Sequence, residues 1–586
     1  MHLHLLPIAL ALTGTALVQD ADTTTPPASS SPVGGPIFSS ASTNLSVIFT
    51  DLLGAPSASV PGIPGASFAG FDRVYGSPNG NWVLTADTDL PTTGDEVLLL
   101  NGAVVGLEGD PAPWAPGENW GLIETKLGVN DAGDLVAATN TDGATTADEY
   151  AVKRDSSGTW TAFAKEGDPT GLAALPGTTW GTTAESVTID ASGNPGLSSD
   201  GVGGTAGGTS DNDLLVLGGS VLLQVGVSAP PGQVGTELIE NFDLSDFFVS
   251  ADGAHYVVQG DLSGATTSDD FLIVDGTVVL QEDSIIPGSG YADAIDGSGI
   301  VGCFMDAGGN WYARGNNDTT EQDWVVRNGV VVAETGGSVE GGAEVYDDTQ
   351  YADCFFMHVG NSVGDYVIGG VTNEPDVERD GVLVLNGTRV LVRQGDPIDL
   401  DGNGVFDDNA FFDLFGNDDA HLTDAGELYF VAAMMDDTFT AIGSGFFKIG
   451  PGAVGTSYCM STQNSSGASA LISGSGGASV AANSLVLSAE PVPASVFGIF
   501  FYGPNQTLAA FGDGFRCVGG SLQRFPAENS GPGGLLTHAV DYAGVTNPAN
   551  LITPGSTWNF QGWFRDVAAG GTGFNLSDGL QITFLP

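Results

Sequence analysis

The stretch DLDGNGVFDD at 399–408 places oxygen donors at alternate positions. Asp399, Asp401 and Asn403 are spaced by two, Gly404 permits a sharp turn, the Val405 carbonyl is a backbone donor, and Asp407 and Asp408 can close the shell. Hard Ca²⁺ takes six to eight such oxygens. The pattern departs from the EF-hand loop at its twelfth position, which is Ala410 where a bidentate Glu would stand. That predicts weak affinity, about 10⁻⁴ to 10⁻³ M, and a structural task for the ion. A solvated acidic turn is the competing reading.

No other stretch spells out a reaction. His255, His358, His421 and His538 sit in neither a G-x-S-x-G nor an H-E-x-x-H context and read as ordinary polar or packed residues. The arginines are scattered, so no catalytic residue is assigned. A carboxylate pair for glycoside hydrolysis stays open among 71 acids. Aromatics recur after Pro-Gly at Phe68, Trp120, Trp180 and Tyr291. They are expected to pack between sheets, with sugar stacking as the alternative.

Charge narrows the partners. Fourteen basic against 71 acidic residues give a net charge of −57, which sets aside nucleic acid and anionic membrane surfaces, since phosphate contacts need clustered Lys and Arg. From 456 onward the acids are Glu490, Asp513, Glu528, Asp541, Asp566 and Asp578 against Arg516, Arg524 and Arg565. A shift that sharp marks a domain boundary. The apolar run Leu5–Val18 before a Pro/Ser/Thr-rich tail has the layout of a secretory signal peptide, taken as 1–20, with a linker over 21–44. No further segment is long and apolar enough to span a bilayer. Four cysteines in an exported chain are expected to pair within each region, Cys459 with Cys517 and Cys303 with Cys354.

These residues must be positioned by a repeat. VLVLNGTRVLVRQGDP at 382–397 echoes EVLLLNGAVVGLEGDP at 96–111, and degraded copies bring the total to seven. Between them fall seven tight turns of the D/N-x-x-G kind, at Gly80, Gly133, Gly193, Gly253, Gly309, Gly364 and Gly426, with Ser77, Ser250 and Thr423 in the first position of three of them. Each unit reads as four strands, with Asn-Gly or Asp-Gly pairs suited to type I′ hairpins. One such sheet cannot bury both faces, whereas seven packed radially can, which predicts an all-β, seven-bladed β-propeller over 45–450. The first copy has only its last strand and the final copy lacks it. The strand at 45–54 is therefore expected to cross the seam and close the seventh blade.

After a linker at 451–456, the text over 457–586 alternates apolar residues in short runs, as in a jelly-roll-like β-sandwich. Cys459, Asn464-Ser465-Ser466-Gly467, Cys517-Val518-Gly519-Gly520 and the Trp558-Asn559-Phe560-Gln561, Trp563, Arg565, Asp566 block carry a resemblance. The region resembles a C-terminal domain of secreted, often repeat-containing bacterial proteins of unassigned function. The repeat body is similar to uncharacterised secreted propeller proteins. The resemblance implies an extracellular or cell-envelope location and brings no reaction. Arg565 beside Asp566 reads as a buried pair locking the sandwich, or as a ligand site. The sequence thus favours a non-enzymatic extracellular binding module for a glycan or protein. Its alternative is a calcium-dependent hydrolase or lyase acting on glycans or phosphoesters at the central face.

Overall fold

The structure is a computed structural model. It describes residues 45–204, 213–349, 354–403, 406–450, 454–475, 478, 480, 483, 485–542 and 548–584, together with residue 353. The signal-peptide and linker assignments at 1–20 and 21–44, and residues 451–453 of the 451–456 linker, lie outside these residues.

Seven antiparallel sheets of four main strands follow one another along 45–449. Their innermost strands are, in order, Phe68–Phe71 with Tyr75–Gly76, Trp120–Val129, Thr179–Ile189, Ile239–Val249, Ile295–Met305, Phe355–Gly360 and Phe411–Leu422. They are called sheets 1 to 7 here. The repeated GDP phrase is the outer hairpin, as Glu96–Leu100 with Ala103–Leu107 and Gly381–Leu385 with Arg389–Arg393 show.

Turn chemistry explains the repetition. Asn101 and Gly102 have φ of 50° and 82°, the left-handed pair a type I′ turn requires. The Asn101 carboxamide oxygen also accepts the N–H of Trp82 at 2.9 Å, and Asp275, Asn328 and Asn386 do the same for Tyr256, Trp311 and Tyr366. In these four sheets the position thus supplies an acceptor side chain beyond its tolerance of positive φ, whereas in sheet 3 Gly218 stands there opposite Pro195, which has no N–H to donate.

The strand Leu45–Thr50 pairs with Ala441–Ile449, matching Val47 to Phe447 and Phe49 to Phe446. It completes sheet 7, as expected from the truncated first and last copies. Seven apolar cores then lie between neighbouring sheets, the last joining sheet 7 to sheet 1 through Phe49, Phe68, Trp82 and Phe446. Every core is shared by two sheets, so none is stable alone. Phe68, Trp120 and Trp180 are buried in them and Tyr291 packs against one, so these aromatics serve packing. The chain is a β-propeller.

From Thr456 on, the strands pair only among themselves, in sheets of five, three and two strands around a separate core. Cys459 and Cys517 form the expected disulfide. Cys303 and Cys354 do not pair. Each is a buried thiol, Cys303 in the core between sheets 4 and 5 and Cys354 in the core between sheets 5 and 6. The Arg565–Asp566 pair is also corrected: Arg565 is exposed while Asp566 is buried and accepts the Ser465 N–H at 3.0 Å. Arg565 ends a strand and Asp566 follows it, and neighbours along such a path point to opposite sides.

Candidate functional site

The seven D/N-x-x-G turns meet at one end of the axis. Asn79 N–H donates to Asp131 at 3.0 Å, Asn130 to Asp190 O at 3.0 Å, Ala191 to Ala251 O at 2.8 Å and Ala251 to Ala307 O at 2.9 Å. Asn361 donates to Thr423 O and Ser362 to Asp424, both at 2.9 Å. Above this collar lies a cavity of about 120 Å³ whose wall takes residues from all seven sheets, including Arg73, Tyr75, Lys126, Phe248 and His421. The His421 ring nitrogen sits 2.9 Å from Ser77 O, and burial pushes its pKa down to about 4, so at neutral pH it is an uncharged part of the collar.

Further along the axis, irregular inner strands bring acids and bases together. The pairing of Phe411–Leu422 with its neighbour breaks between Phe415 and Ala420, and Asp418 there has φ 54°. The break turns Asp418 toward two other sheets. Arg314 of sheet 5 meets it at 2.7 Å, and His358 of sheet 6 lies 3.2 Å from its other oxygen. Arg314 also donates to Phe355 O at 2.8 Å. Burial alone would raise the Asp418 pKa, but Arg314 and then His358 outweigh it and hold the carboxyl far below the ordinary range.

Its neighbours behave oppositely. Burial, with Asp418 and Asp72 nearby, pushes Asp419 up to about 7 against the pull of Arg73. Burial lifts Asp72 to about 6 although Thr85 donates to it at 2.7 Å. Arg73 lies 5.3 Å from the Tyr75 ring and 5.5 Å from that of Phe248, so it reaches from sheet 1 to sheet 4 across the axis. Carboxyls of opposed protonation beside Arg and His are the arrangement acid–base chemistry uses. No residue pattern in the sequence marked Asp72, Arg73, Arg314, His358, Asp418 and Asp419 as a group, because they come from four sheets.

The acidic loop lies just before the same strand. Ile398 N–H donates to Ala410 O at 2.9 Å, closing it at its base. Carboxylate oxygens of Asp399, Asp401 and Asp408 fall within 4.8 Å of one another. Asp408 also accepts the Leu400 N–H at 2.7 Å, and Asn403 N–H reaches Asp399 and Asp401 at 3.1 and 3.0 Å. Asp407 is exposed and outside this group, and Val405 lies outside the described residues. Three hard carboxylates on one side of a turn fit a calcium ion completed by water and carbonyl oxygens.

The chain matches no protein-family model and no curated protein. Among solved structures it is similar to a subtype N11 neuraminidase-like protein of A/flat-faced bat/Peru/033/2010 (H18N11), with 12% identity, 56% of this chain and 87% of that chain covered, and TM-score 0.25. It is also similar to an exo-β-1,3-galactanase from Phanerochaete chrysosporium, at 8% identity, 80% and 98% coverage and TM-score 0.22. A GH43_12 protein from a capybara gut metagenome aligns at 7% identity, 78% and 92% coverage and TM-score 0.19. Likenesses this loose bear on neither fold nor chemistry, which rest on the sheet pairing and the axial geometry.

Proposed function

We propose that the protein is an extracellular hydrolase of glycans acting at the axial carboxylates, with calcium in the 399–408 loop as a structural aid. The observation that carries this is geometric: four sheets bring Asp72, Asp418 and Asp419 to the axis beside Arg73, Arg314 and His358, with Asp418 held ionised by Arg314 and His358 and with Asp419 and Asp72 raised by burial. In this reading Asp419 gives its proton to the glycosidic oxygen that leaves. Asp72, the less raised of the two, takes a proton from the attacking water, whose oxygen bonds to the anomeric carbon as the glycosidic C–O bond breaks. Asp418 keeps Arg314 and His358 fixed and supplies the negative field. The calcium loop leads directly into Phe411–Leu422, so a bound ion would hold the strand that carries Asp418 and Asp419.

A binding module without turnover is the second reading. It is favoured by one observation, that both Asp418 oxygens are already engaged by Arg314 and His358 in a brace across three sheets. Screening the full chain against a glycan array for binding and for new reducing ends, with and without calcium, tests both. Asp419→Asn is expected to abolish cleavage and retain binding. Binding without cleavage by the wild type would leave the second reading standing.

A further inference from the structure

We propose that Asp269, Asp270 and Glu282, at the corner of sheet 4 where its third strand begins and its outer strand ends, form a divalent-cation site of the calcium type. This is separate from the 399–408 loop and independent of any activity at the axis. Three observations converge on it.

The first is geometry. Carboxylate oxygens of the three residues lie within 4.8 Å of one another. One Glu282 oxygen accepts the N–H groups of Asp269 and Asp270 at 3.0 and 3.2 Å, which fixes the side chain facing them.

The second is an orphan. Glu282 is 1% exposed and its Oε1 has no hydrogen-bond donor among the described residues. A buried carboxylate oxygen without a donor is costly beside two further acids unless a cation or a proton joins it. On the other side a Cβ at Gly297 would fall 2.7 Å from this oxygen, so glycine leaves the space beside it open.

The third is the internal repeat. Backbone pairing aligns Glu282 with Asp270, as it aligns Glu108 with Glu96 and Glu166 with Glu149. In those three sheets the full acidic triad is present: Asp95, Glu96 and Glu108; Asp148, Glu149 and Glu166; Asp269, Asp270 and Glu282. In sheets 3, 5 and 6 the Glu becomes Val225, Thr335 or Gln394, and one partner acid goes with it, replaced by Asn212, Gln322 or Gly381, whereas in sheet 7 Asp51 stands at the matching position beside Gly443 and Ser444. In six of the seven sheets the Glu and one partner acid are kept or lost together, as expected of groups that share a ligand, and in sheet 7 the lone Asp51 is instead satisfied by the Ser444 N–H and hydroxyl at 2.6 and 2.8 Å. In sheet 1 the Glu96 carboxylate is turned to the Ile123 N–H at 2.7 Å, whereas in sheet 4 the three groups converge.

The test uses calcium alone on the full chain, stripped with EDTA, in an Asp399→Asn, Asp408→Asn background that removes the loop. Calorimetric titration is expected to show calcium uptake that falls by one equivalent in Glu282→Gln. Gln stands at the matching position 394 of sheet 6, so this variant should fold, with an unchanged Tm in EDTA and a diminished rise of Tm on adding calcium. Equal uptake by parent and Glu282→Gln overturns the proposal. So does no uptake by the parent, and a proton then occupies the site. Neither readout involves a glycan, so the result stands apart from the fate of the axial reading.

Discussion

The backbone N–H of Asp424 donates to the carbonyl of Pro78 at 2.9 Å, joining the last of the seven repeated turns of the ring, at 423–426, to the first, at 77–80. The same seam is sewn from the outside by Leu45–Thr50, which belongs by sequence to the start of the chain and by pairing to its last sheet. Two closures at different radii make the ring a single cooperative object.

Phe49 tests that closure. Its ring lies 4.8 Å from Phe68 and 6.3 Å from Trp82, so it fills the core between sheets 7 and 1. Phe49→Ala should cost about 3–5 kcal/mol in denaturant unfolding. Leu53→Ala, four residues on at a side chain 74% exposed, should stay within about 0.5 kcal/mol. Equal effects at the two positions would mean the strand is not integral to the ring.

Much of this was legible in the chain because the signals are local. A D/N-x-x-G turn or an Asn-Gly hairpin is set by a few adjacent residues, and repetition multiplied each signal. The missing strand of the last copy was legible because its counterpart was in surplus at the start. The axial group was not. Asp418 meets Arg314 and His358 only because a break in strand pairing re-aims it, and nothing within a few residues of any of the three announces the others. The Cys303–Cys354 expectation failed for the same reason: proximity in sequence region did not place two residues in one core. In the 399–408 loop Asp399, Asp401 and Asp408 gather because a turn is local, while any closing ligands depend on how the loop folds back.

Acidity should stabilise the ring before it destroys it. Asp72, Asp419 and Glu96 have pKa values raised to about 6, 7 and 8, chiefly by burial, so the folded chain binds protons there more tightly than the unfolded chain does. Their contribution is fully present below the ordinary carboxyl range and is lost as pH rises through about 6 to 8. Tm should therefore rise on going from pH 8 to pH 5. Asp419→Asn should flatten that rise; with about 1.4 kcal/mol per pKa unit and some solvent screening, its share is roughly 2 kcal/mol. Asp418 works in the opposite sense, stabilising above the ordinary carboxyl range and failing only in strong acid. Asp418→Ala, which strands Arg314 and His358, should cost about 3–5 kcal/mol at pH 7. A Tm that falls steadily from pH 8 to pH 5 would contradict the axial assignment.

Calcium should add stability through the 399–408 loop. At ten times a dissociation constant of about 10⁻⁴ to 10⁻³ M, binding to the folded state alone contributes about 1.4 kcal/mol. Scanning calorimetry in calcium and in EDTA measures it, and Asp408→Asn should remove the loop's share because Asp408 both faces the other carboxylates and accepts the Leu400 N–H. A calcium effect on Tm that is identical in Asp408→Asn and wild type would take the ion away from the loop.

The cysteines divide into two classes with separable readouts. Cys459 and Cys517 close a loop of 58 residues, and the chain-entropy argument gives that bridge about 4 kcal/mol. Cys459→Ser with Cys517→Ser should destabilise the C-terminal sheets by about that amount. The sheets of 45–449 share no core residue with them, so their unfolding should be unaffected. Cys303 and Cys354 are at most 2% exposed, so a thiol reagent should modify neither in the native chain and both after denaturation. Burial pushes the Cys354 thiol well above its usual range, and Asp323 adds to the shift, so it should stay unreactive at any pH the fold tolerates. Two reactive thiols in the denatured, unreduced protein is the expected count. Finding none would mean that the two are bridged after all, and that the cores between sheets 4 and 5 and between sheets 5 and 6 are packed differently from the arrangement described.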